Sequence, residues 1–317
     1  VRQGRYVRRA KCAFDGRAGF IIIKTSLIAD NSCMQLNKGI EAIKDVLVSA
    51  DVITYEFSSA AGKKFALIYV DGLVEKAQLG ELVVKPLAKA GKEAGAAEVR
   101  AILASPEVKE VDIPSAIKEI SYGSAVLLTD GCDELFSIGL TKPPGRAVAE
   151  PPTQIAVKGP REGFTEDIKI NCALVRKRLK SPDLRLDTVR TGKRSDTAVT
   201  ICYLADVCNN EIPKKLAAQI AANEIDIVAD SSYVGRFVSS RPRSLFKRCA
   251  TCEKPDIFCA KLAEGRVGIL VDGSPIALTV PYMLVEDFQS SEDYFISSYR
   301  ATILRFLRAV AVVVGIL

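Results

Sequence analysis

The stretch KGPREGFTEDIKINCALVRKR, Lys158–Arg178, lies at the centre of the chain's organisation. It opens with a Gly-Pro-Arg-Glu-Gly turn and continues into a helix predicted over Thr165–Lys180, which stops before Pro182. Acidic side chains begin this helix and basic ones end it, as the helix dipole favours. Apolar residues recur on one face at helical spacing: Phe164, Ile168, Cys172, Val175 and Leu179. The stretch holds no obvious nucleophile or metal ligand, so we interpret it as a rigid charged joint or contact surface.

The same order of elements occurs on both sides of this joint. In each half a helix precedes two strands, a second helix follows, and an Asp-Gly dipeptide marks a late hairpin. In the first half we predict helices at Leu36–Val48 and Gln78–Ala90, strands at Val52–Phe57 and Phe65–Val70, and a hairpin at Ala125–Leu140. In the second half we predict strands at Leu184–Val189 and Ala198–Tyr203, a helix at Ile212–Asn223, and a hairpin at Val267–Val280.

Each half is therefore expected to form a small α/β lobe whose sheet mixes parallel and antiparallel strands. The lobes are placed at residues 36–140 and 158–290, and residues 1–35 form an unassigned extension. The segment 141–157 is the predicted linker, because Pro143, Pro144, Pro151 and Pro152 are incompatible with a continuous helix or a central strand. Two lobes joined by one linker are suited to hinge motion.

The net charge is +6, and the basic excess is concentrated between Lys158 and Arg194. Such a surface is most often a solvated face, and the alternatives are an acidic protein partner or anionic lipid headgroups. Nucleic acid is not expected as a partner. The chain has no Trp, aromatic residues make up only 7%, and none interleave with the basic runs.

The residue types available limit the chemistry of the chain. Histidine is absent, which excludes Ser-His-Asp and Cys-His nucleophilic machinery and imidazole catalysis. The nine cysteines are odd in number, and most lie in apolar patterns, which favours reduced, buried thiols. Cys249 and Cys252 form a single C-x-x-C motif near Cys259, but we expect neither a metal nor another cofactor. Carboxylate pairs such as Glu166/Asp167 leave an enzyme as the least favoured alternative, and no catalytic residue is predicted.

Residues 291–317 are predicted to form a juxtamembrane helix and the start of a first membrane span. Arg300, Arg305 and Arg308 precede a wholly apolar run, Ala309–Leu317. This run is too short to cross a bilayer, which takes about 20 residues. It is either a buried terminal strand or the beginning of a truncated transmembrane helix. In the second case the arginines would lie on the cytoplasmic side.

Several separated motifs resemble the amino-terminal soluble region of the A subunit of bacterial spore germinant receptors, the GerA family. The resemblance covers roughly residues 36 to 317. The motifs include Tyr69–Val74, Gly159–Glu166, Asn171 with Arg176 and Arg178, Glu264–Val267, Val271–Pro275 and Glu292–Tyr294. Residues 1–35 carry no family landmark.

The resemblance implies two cytoplasmic lobes followed by membrane helices, in the spore inner membrane and on its cytoplasmic, spore-core side. It also implies assembly with a transporter-like B subunit, a lipoprotein C subunit and further A subunits, and a role in ion release during nutrient-triggered germination. A related sporulation-stage membrane protein shares this architecture and remains an alternative.

On this basis we predict a non-enzymatic module of sensing and assembly. We assign the polar contacts between lobes or subunits to the charged joint at Lys158–Arg178. The predicted interaction residues are Gly159, Pro160, Arg161, Glu162, Phe164, Glu166, Asn171, Arg176 and Arg178, and the membrane-proximal ones are Arg300, Arg305 and Arg308. The alternative function is a two-lobed module that closes on a small solute.

Overall fold

The computed structural model describes residues 36–91, 95–103, 107–140, 160–238, 248–283, 286 and 297–316. The predicted extension 1–35, the predicted linker 141–157 and Gly159 lie outside the described residues. All the elements below belong to one unit, Met34–Leu317.

The first lobe is built on a five-stranded sheet with the order β1-β2-β4-β5-β3. Its strands are β1 (Val52–Ser58), β2 (Lys64–Val70), β3 (Val108–Val111), β4 (Ala125–Thr129) and β5 (Leu135–Ile138). Helix α1 (Leu36–Val46) precedes the sheet. A continuous helical run follows β2, made of α2 (Lys76–Leu79), a π-helical turn (Gly80–Val84) and α3 (Lys85–Leu87), before α4 (Ala96–Leu103) and α5 (Ile113–Tyr122).

The second lobe repeats this topology strand for strand, with the order β6-β7-β9-β10-β8. Its strands are β6 (Leu184–Thr191), β7 (Thr197–Leu204), β8 (Ala250–Cys252), β9 (Val267–Val271) and β10 (Ala277–Val280). Its helices are α6 (Ile168–Arg178), α7 (Glu211–Ala221), α8 (Ser231–Val238) and α9 (Pro255–Ala263). The two α/β lobes predicted from the sequence are thus confirmed.

The predicted mixture of parallel and antiparallel strands is wrong for the described sheets. Every pairing in both is antiparallel, including the pairing of β2 with β4 and of β7 with β9. The short edge strands β3 and β8 account for the difference, because the sequence pattern does not indicate them. In each lobe this extra strand reverses the direction of the chain once more before the late hairpin. The first strand of the hairpin, β4 or β9, therefore runs antiparallel to β2 or β7.

Apolar side chains cover both faces of each sheet, which places the sheets inside the lobes. On β2, Leu67 belongs to the core cluster under the α2–α4 segment, and the next residue, Ile68, belongs to the cluster under α1 and α5. On β7, Cys202 faces α6 and α9, whereas Ile201 faces α7 and α8. Two-sided burial explains the nearly continuous apolar runs in these central strands.

The predicted element bounds differ from the observed ones mainly at helix ends. The predicted helix Thr165–Lys180 begins at Ile168, because the Asp167 side chain accepts a hydrogen bond from the Lys169 amide and caps the first turn. Helices α4, α5, α8 and α9 are not indicated by the sequence pattern. They complete the covering layers of the two sheets.

Residues 298–316 form helix α10 (Ser298–Ile316). The alternative of a buried terminal strand is therefore wrong for these residues. Large apolar side chains of the helix, such as Phe306, Val310 and Val314, are exposed. Within the described ranges, no helix has both the length and the apolar character that crossing a membrane requires.

Candidate interaction site at the lobe junction

Helix α6 lies between the two lobes and contributes to both cores. Leu174 and Val175 are fully buried in the second lobe's cluster beside α9. Ala173, on another side of the same helix, belongs to the first lobe's cluster with α1 and α5. Because consecutive residues of one helix are buried in different lobes, α6 is a shared structural element and not a helix of the second lobe alone.

Arg176 makes the main polar contact between the lobes and is only 1% exposed. Its Nε donates to Asp51 Oδ2 at 2.8 Å, and its Nη2 donates to Asp51 Oδ1 at 2.8 Å and to Ser49 Oγ at 2.9 Å. Ser49 in turn donates to Asp51 Oδ1 at 2.5 Å. This two-bonded guanidinium–carboxylate pair fixes the relative orientation of the two groups as well as their distance.

Backbone contacts extend the junction along the edge of β6. The Ala50 amide donates to the Leu186 carbonyl at 3.3 Å, and the Leu186 amide donates to Ser49 Oγ at 2.9 Å. Arg185 donates through Nη2 to the Val46 carbonyl at 3.1 Å, and burial lowers its pKa. The segment between α1 and β1 is thereby attached to the first strand of the second lobe.

Two further contacts join α6 and the residues that follow it to the first lobe. The Lys180 ammonium lies 4.7 Å from the centre of the Tyr122 ring at the end of α5, a cation–π distance. Gly72 has φ +84°, and a Cβ there would lie 3.3 Å from the Lys169 carbonyl oxygen. A glycine at this turn thus permits both the left-handed backbone and the close approach of α6.

Glu162 and Arg178, two of the predicted interaction residues, contact each other inside the second lobe. Glu162 accepts from Arg178 Nη2 at 2.9 Å and from Lys177 Nζ at 3.1 Å. Partial burial would raise the pKa of Glu162. The hydrogen bond from Lys177 and the charges of Lys177 and Arg178 outweigh that effect and lower the pKa. This cluster ties the turn before α6 to the end of the helix.

Asn171 and Phe164 also organise the start of α6 within the second lobe. Asn171 Oδ1 accepts from the Thr165 amide at 2.8 Å, and its Nδ2 donates to the Thr165 carbonyl at 2.6 Å. Phe164 meets Phe258 edge to face, with ring centres 5.4 Å apart. These residues shape the joint from inside and do not reach the first lobe.

The remaining predicted residues lie on or near the surface. Arg161 and Glu166 are exposed and Pro160 is half-buried. The Glu166 carbonyl accepts from the Gly273 amide at 2.8 Å, which attaches the joint to the β9–β10 hairpin. On α10, Arg300 is exposed, whereas Arg305 and Arg308 are half-buried. The sequence did not single out Ser49, Asp51 or Arg185. For Ser49 and Asp51, the sequence signal is the match between Ser49-Ala-Asp51 and Ser181-Pro-Asp183 in the two halves.

A cleft of about 230 Å³ lies between the lobes beside this junction. One wall carries the edge of β1 and the other the edge of β6, and α6 contributes residues from between them. Its lining combines charged, hydroxyl and apolar side chains, including Asp51, Ile53, Asp71, Lys169, Leu186, Thr188, Arg190 and Thr200.

A second ionic cluster holds the segment after β10 against α9. Lys261 Nζ lies 2.6 Å from Glu286 Oε2, and Arg266 pairs with the same carboxylate. Partial burial would raise the pKa of Glu286. The hydrogen bond from Lys261, together with other contacts, lowers it instead. One carboxylate thus binds two cations and positions the chain that follows the second sheet.

Four cysteines of the second lobe are buried: Cys202, Cys208, Cys252 and Cys259. Burial raises the pKa of both Cys252 and Cys259 to about 12, and Cys202 shifts in the same direction. Thiols with such pKa values are protonated and unreactive near neutral pH. In the part of the chain that the structure describes, no cluster of three or more Cys, Asp or Glu side chains is arranged to hold a metal ion.

Comparison with protein families matches residues 39–317 to the family described as Bacillus/Clostridium GerA spore germination protein. The chain belongs to the GerA family. This GerA-family chain is 33% identical over 282 residues to spore germination protein GerLA of Bacillus cereus, covering 87% of this chain and 57% of the relative. It is 30% identical over 275 residues to spore germination protein KA of Bacillus subtilis (strain 168), covering 84% of this chain and 51% of the relative.

Another relative in the same range is stage V sporulation protein AF of Bacillus subtilis (strain 168), at 29% identity over 78% of this chain. The GerA-family chain spans about half the length of these curated relatives. Among solved structures, the N-terminal domain of the A subunit of the Bacillus megaterium spore germinant receptor GerK3 has the same fold. Its TM-score is 0.61 at 24% identity, over 79% of this chain and 96% of that one.

Proposed function

We propose that this GerA-family chain is the two-lobed region of a spore germinant receptor A subunit and acts in nutrient-triggered germination. The family match over residues 39–317 supports the assignment. The structural observation that carries it is the buried Arg176–Asp51 pair, which fixes one lobe on the other. Because this pair holds the two lobes rigidly together, a displacement that one partner imposes on the region can reach another partner. We assign it no catalytic role.

The proposed partners are the transporter-like B subunit, the lipoprotein C subunit and further A subunits. We place the region on the cytoplasmic side of the spore inner membrane, where it couples to an ion-conducting membrane region. Helix α10 supports this placement, because it combines exposed apolar side chains with Arg300, Arg305 and Arg308. The protonated core thiols are compatible with a reducing compartment.

Within this function, the joint residues divide into two proposed roles. Arg176 sets the geometry between the lobes, whereas the exposed Arg161 and Glu166 present charges to a neighbouring subunit. Glu162, Asn171 and Arg178 hold the turn in the shape that presents those charges. Charge-assisted contacts of this type contribute more to specificity than to net affinity.

The proposal is tested in spores whose A subunit carries Arg176→Met or Arg161→Ala. Both variants should germinate poorly in response to nutrients, and R161A should in addition reduce co-purification of the B and C subunits while the region itself stays folded. Arg100→Met is the matched control, because Arg100 forms an exposed pair with Glu110 inside the first lobe. Normal germination of both test variants would overturn the proposed role of the joint.

A second candidate function is the binding of a small solute between the lobes. The inter-lobe cleft supports it, since carboxylates, a lysine and hydroxyls line a concave space of about 230 Å³. Calorimetric titration of the purified chain with amino acids and sugars tests this candidate. Saturable heat that is lost in Lys169→Ala would support a binding site in the cleft, whereas flat titrations would rule this candidate out.

A further inference from the structure

The repeat between the lobes extends to the residues of the junction itself. Helices α1 and α6 align residue for residue when Ser49 is placed on Ser181, and Asp51 then falls on Asp183. The same backbone bond marks both positions. The Asp71 amide donates to the Asp51 carbonyl at 2.8 Å, and the Ala205 amide donates to the Asp183 carbonyl at 3.0 Å. The surface that receives α6 on the first lobe therefore has a counterpart on the second.

On the first lobe this surface is filled, whereas on the second lobe the described residues leave it exposed. Arg176 pairs with Asp51, and Leu73 beneath α6 is only 7% exposed. At the equivalent places of the second lobe, no residue that the structure describes forms an ion pair with Asp183, and Val207 is 51% exposed. Burial and the neighbouring Asp206 raise the pKa of Asp183, and together they outweigh the opposite effects of the Arg185 charge and of a hydrogen bond with Ser181. The nearby Arg185 directs its guanidinium to the Pro182 and Val46 carbonyls instead.

The chain also carries an exposed counterpart of the group that fills the first surface. In the same alignment Arg176 corresponds to Lys44 on α1, and the buried Val175 corresponds to the buried Ile43. Lys44 is exposed, and none of the described side chains forms an ion pair with it. One chain thus presents an acidic surface on its second lobe and a cation of matching position on its first.

We infer that the second lobe of one copy binds helix α1 of a second copy, with Lys44 directed at Asp183 as Arg176 is directed at Asp51. The contact is heterologous, so each copy uses its second lobe toward one neighbour and its first lobe toward the other. Repetition of the contact closes into a ring or extends into a filament. The inference rests on the assembly of A subunits proposed above and identifies the surfaces that form it.

Three differences make this contact weaker than the internal junction. Lysine offers a point charge where arginine binds a carboxylate through two bonds. Asp206 stands where Gly72 allows α6 to approach, so the docked helix must lie further out. Glu41 occupies the place of Ala173 and brings a like charge toward Asp206. The contact between copies is therefore expected to depend on protein concentration and on salt.

Sedimentation velocity of the purified chain over a concentration series tests the inference. The wild type should associate reversibly, and Lys44→Glu and Asp183→Lys should each weaken association at least about tenfold, because like charges then face each other. An equimolar mixture of the two variants should associate again, since every contact between unlike copies then joins opposite charges. Glu41→Ala should strengthen association.

Exposed residues away from both surfaces provide matched controls. Lys214→Glu and Glu224→Lys make the same charge changes at highly exposed sites and should associate as the wild type does. A wild type that stays monomeric at every concentration, or a mixture that associates no better than its components, would overturn the inference. The readout is association in solution and not germination, so a failure of this inference can be distinguished from a failure of the proposed function.

Discussion

At the scale of single residues, the junction depends on a buried charge that the fold compensates with a counter-charge and hydrogen-bond acceptors. Arg176 is among the largest fully buried side chains of the described structure, beside Phe65 and Phe136. A buried guanidinium is tolerated only when its donors are satisfied and a counter-charge is close. Asp51, Ser49 and the Ser181 carbonyl meet that need. The result is a contact that permits one arrangement of the lobes, because other arrangements leave the charges unpaired.

Replacing Arg176 with Met should cost about 3–5 kcal/mol of unfolding free energy, because Asp51 is then left buried without its partner. Urea unfolding of the purified chain measures this loss. Arg190→Met removes an exposed arginine pair and should cost at most about 1 kcal/mol.

The double variant Arg176→Met/Asp51→Leu distinguishes pairing from packing. It should recover part of the stability lost in R176M, since no uncompensated carboxylate remains. Equal losses in R176M and R190M would contradict a buried, structurally important pair.

At the scale of elements, close packing of α9 on β9 requires a residue without a side chain. A Cβ on Gly268 would clash with the ring of Phe258. Phe258 in turn meets Phe164 from the joint, so the position of this ring affects the entry to α6. The sheet, α9 and the joint are thus connected through one aromatic ring.

Gly268→Ala should destabilise the chain by about 1–3 kcal/mol, because the ring of Phe258 must move out of its packed position. Gly80→Ala is the matched control. Gly80 lies in the helical run with right-handed geometry and no atom within 4 Å of an added Cβ, so this change should be neutral or slightly stabilising. Thermal unfolding compares the two variants. A G268A protein as stable as the wild type would show that β9 and α9 are not tightly packed.

The β9–β10 hairpin is fastened to α8 by Asp230, and this contact gives a pH-dependent contribution to stability. Partial burial would raise the pKa of Asp230. Hydrogen bonds from Ser274 and from Ser232 outweigh burial and lower the pKa from 3.8 to about 2. The pKa of Asp230 is therefore lower in the folded protein than in the unfolded chain. The stabilisation from these hydrogen bonds is complete above pH 3.8 and is lost as the pH falls through about 2.

Unfolding free energies measured from pH 5 downward should therefore fall more steeply for the wild type than for Asp230→Asn in the interval between 3.8 and about 2. The asparagine variant lacks the titrating group and should be less stable than the wild type at pH 5. Parallel pH profiles would show that Asp230 does not make these contacts in solution.

At the scale of the whole molecule, two sheets of identical topology are joined by a helix that belongs to both. Shared burial of α6 couples the lobes more tightly than a linker alone could. This feature modifies the hinge motion expected from the sequence, because opening the lobes separates Arg176 from Asp51 and exposes Ala173. The inter-lobe cleft therefore lies beside a fixed contact and not beside a free hinge.

The lobes of the wild type should consequently unfold in one transition, whereas those of R176M should unfold in two. Hydrogen exchange along a urea series resolves the lobes separately, with amides of β2 reporting the first and amides of β7 the second. R190M serves again as the control and should keep a single transition. Two transitions already present in the wild type would show that the junction does not couple the lobes.

The repeated α/β pattern and the position of α6 could be predicted from the sequence, because periodic burial and Asp-Gly turns act within a few residues. The family resemblance added the expected context of the chain. Which joint residue crosses between the lobes is apparent only in the folded chain. Arg161, Arg176 and Arg178 are the same residue type within one short segment, yet only Arg176 faces Asp51. The direction of the strands also depended on β3 and β8, whose pairing partners lie far away in sequence. Pairing and burial of this kind arise when distant segments meet, so local patterns cannot specify them.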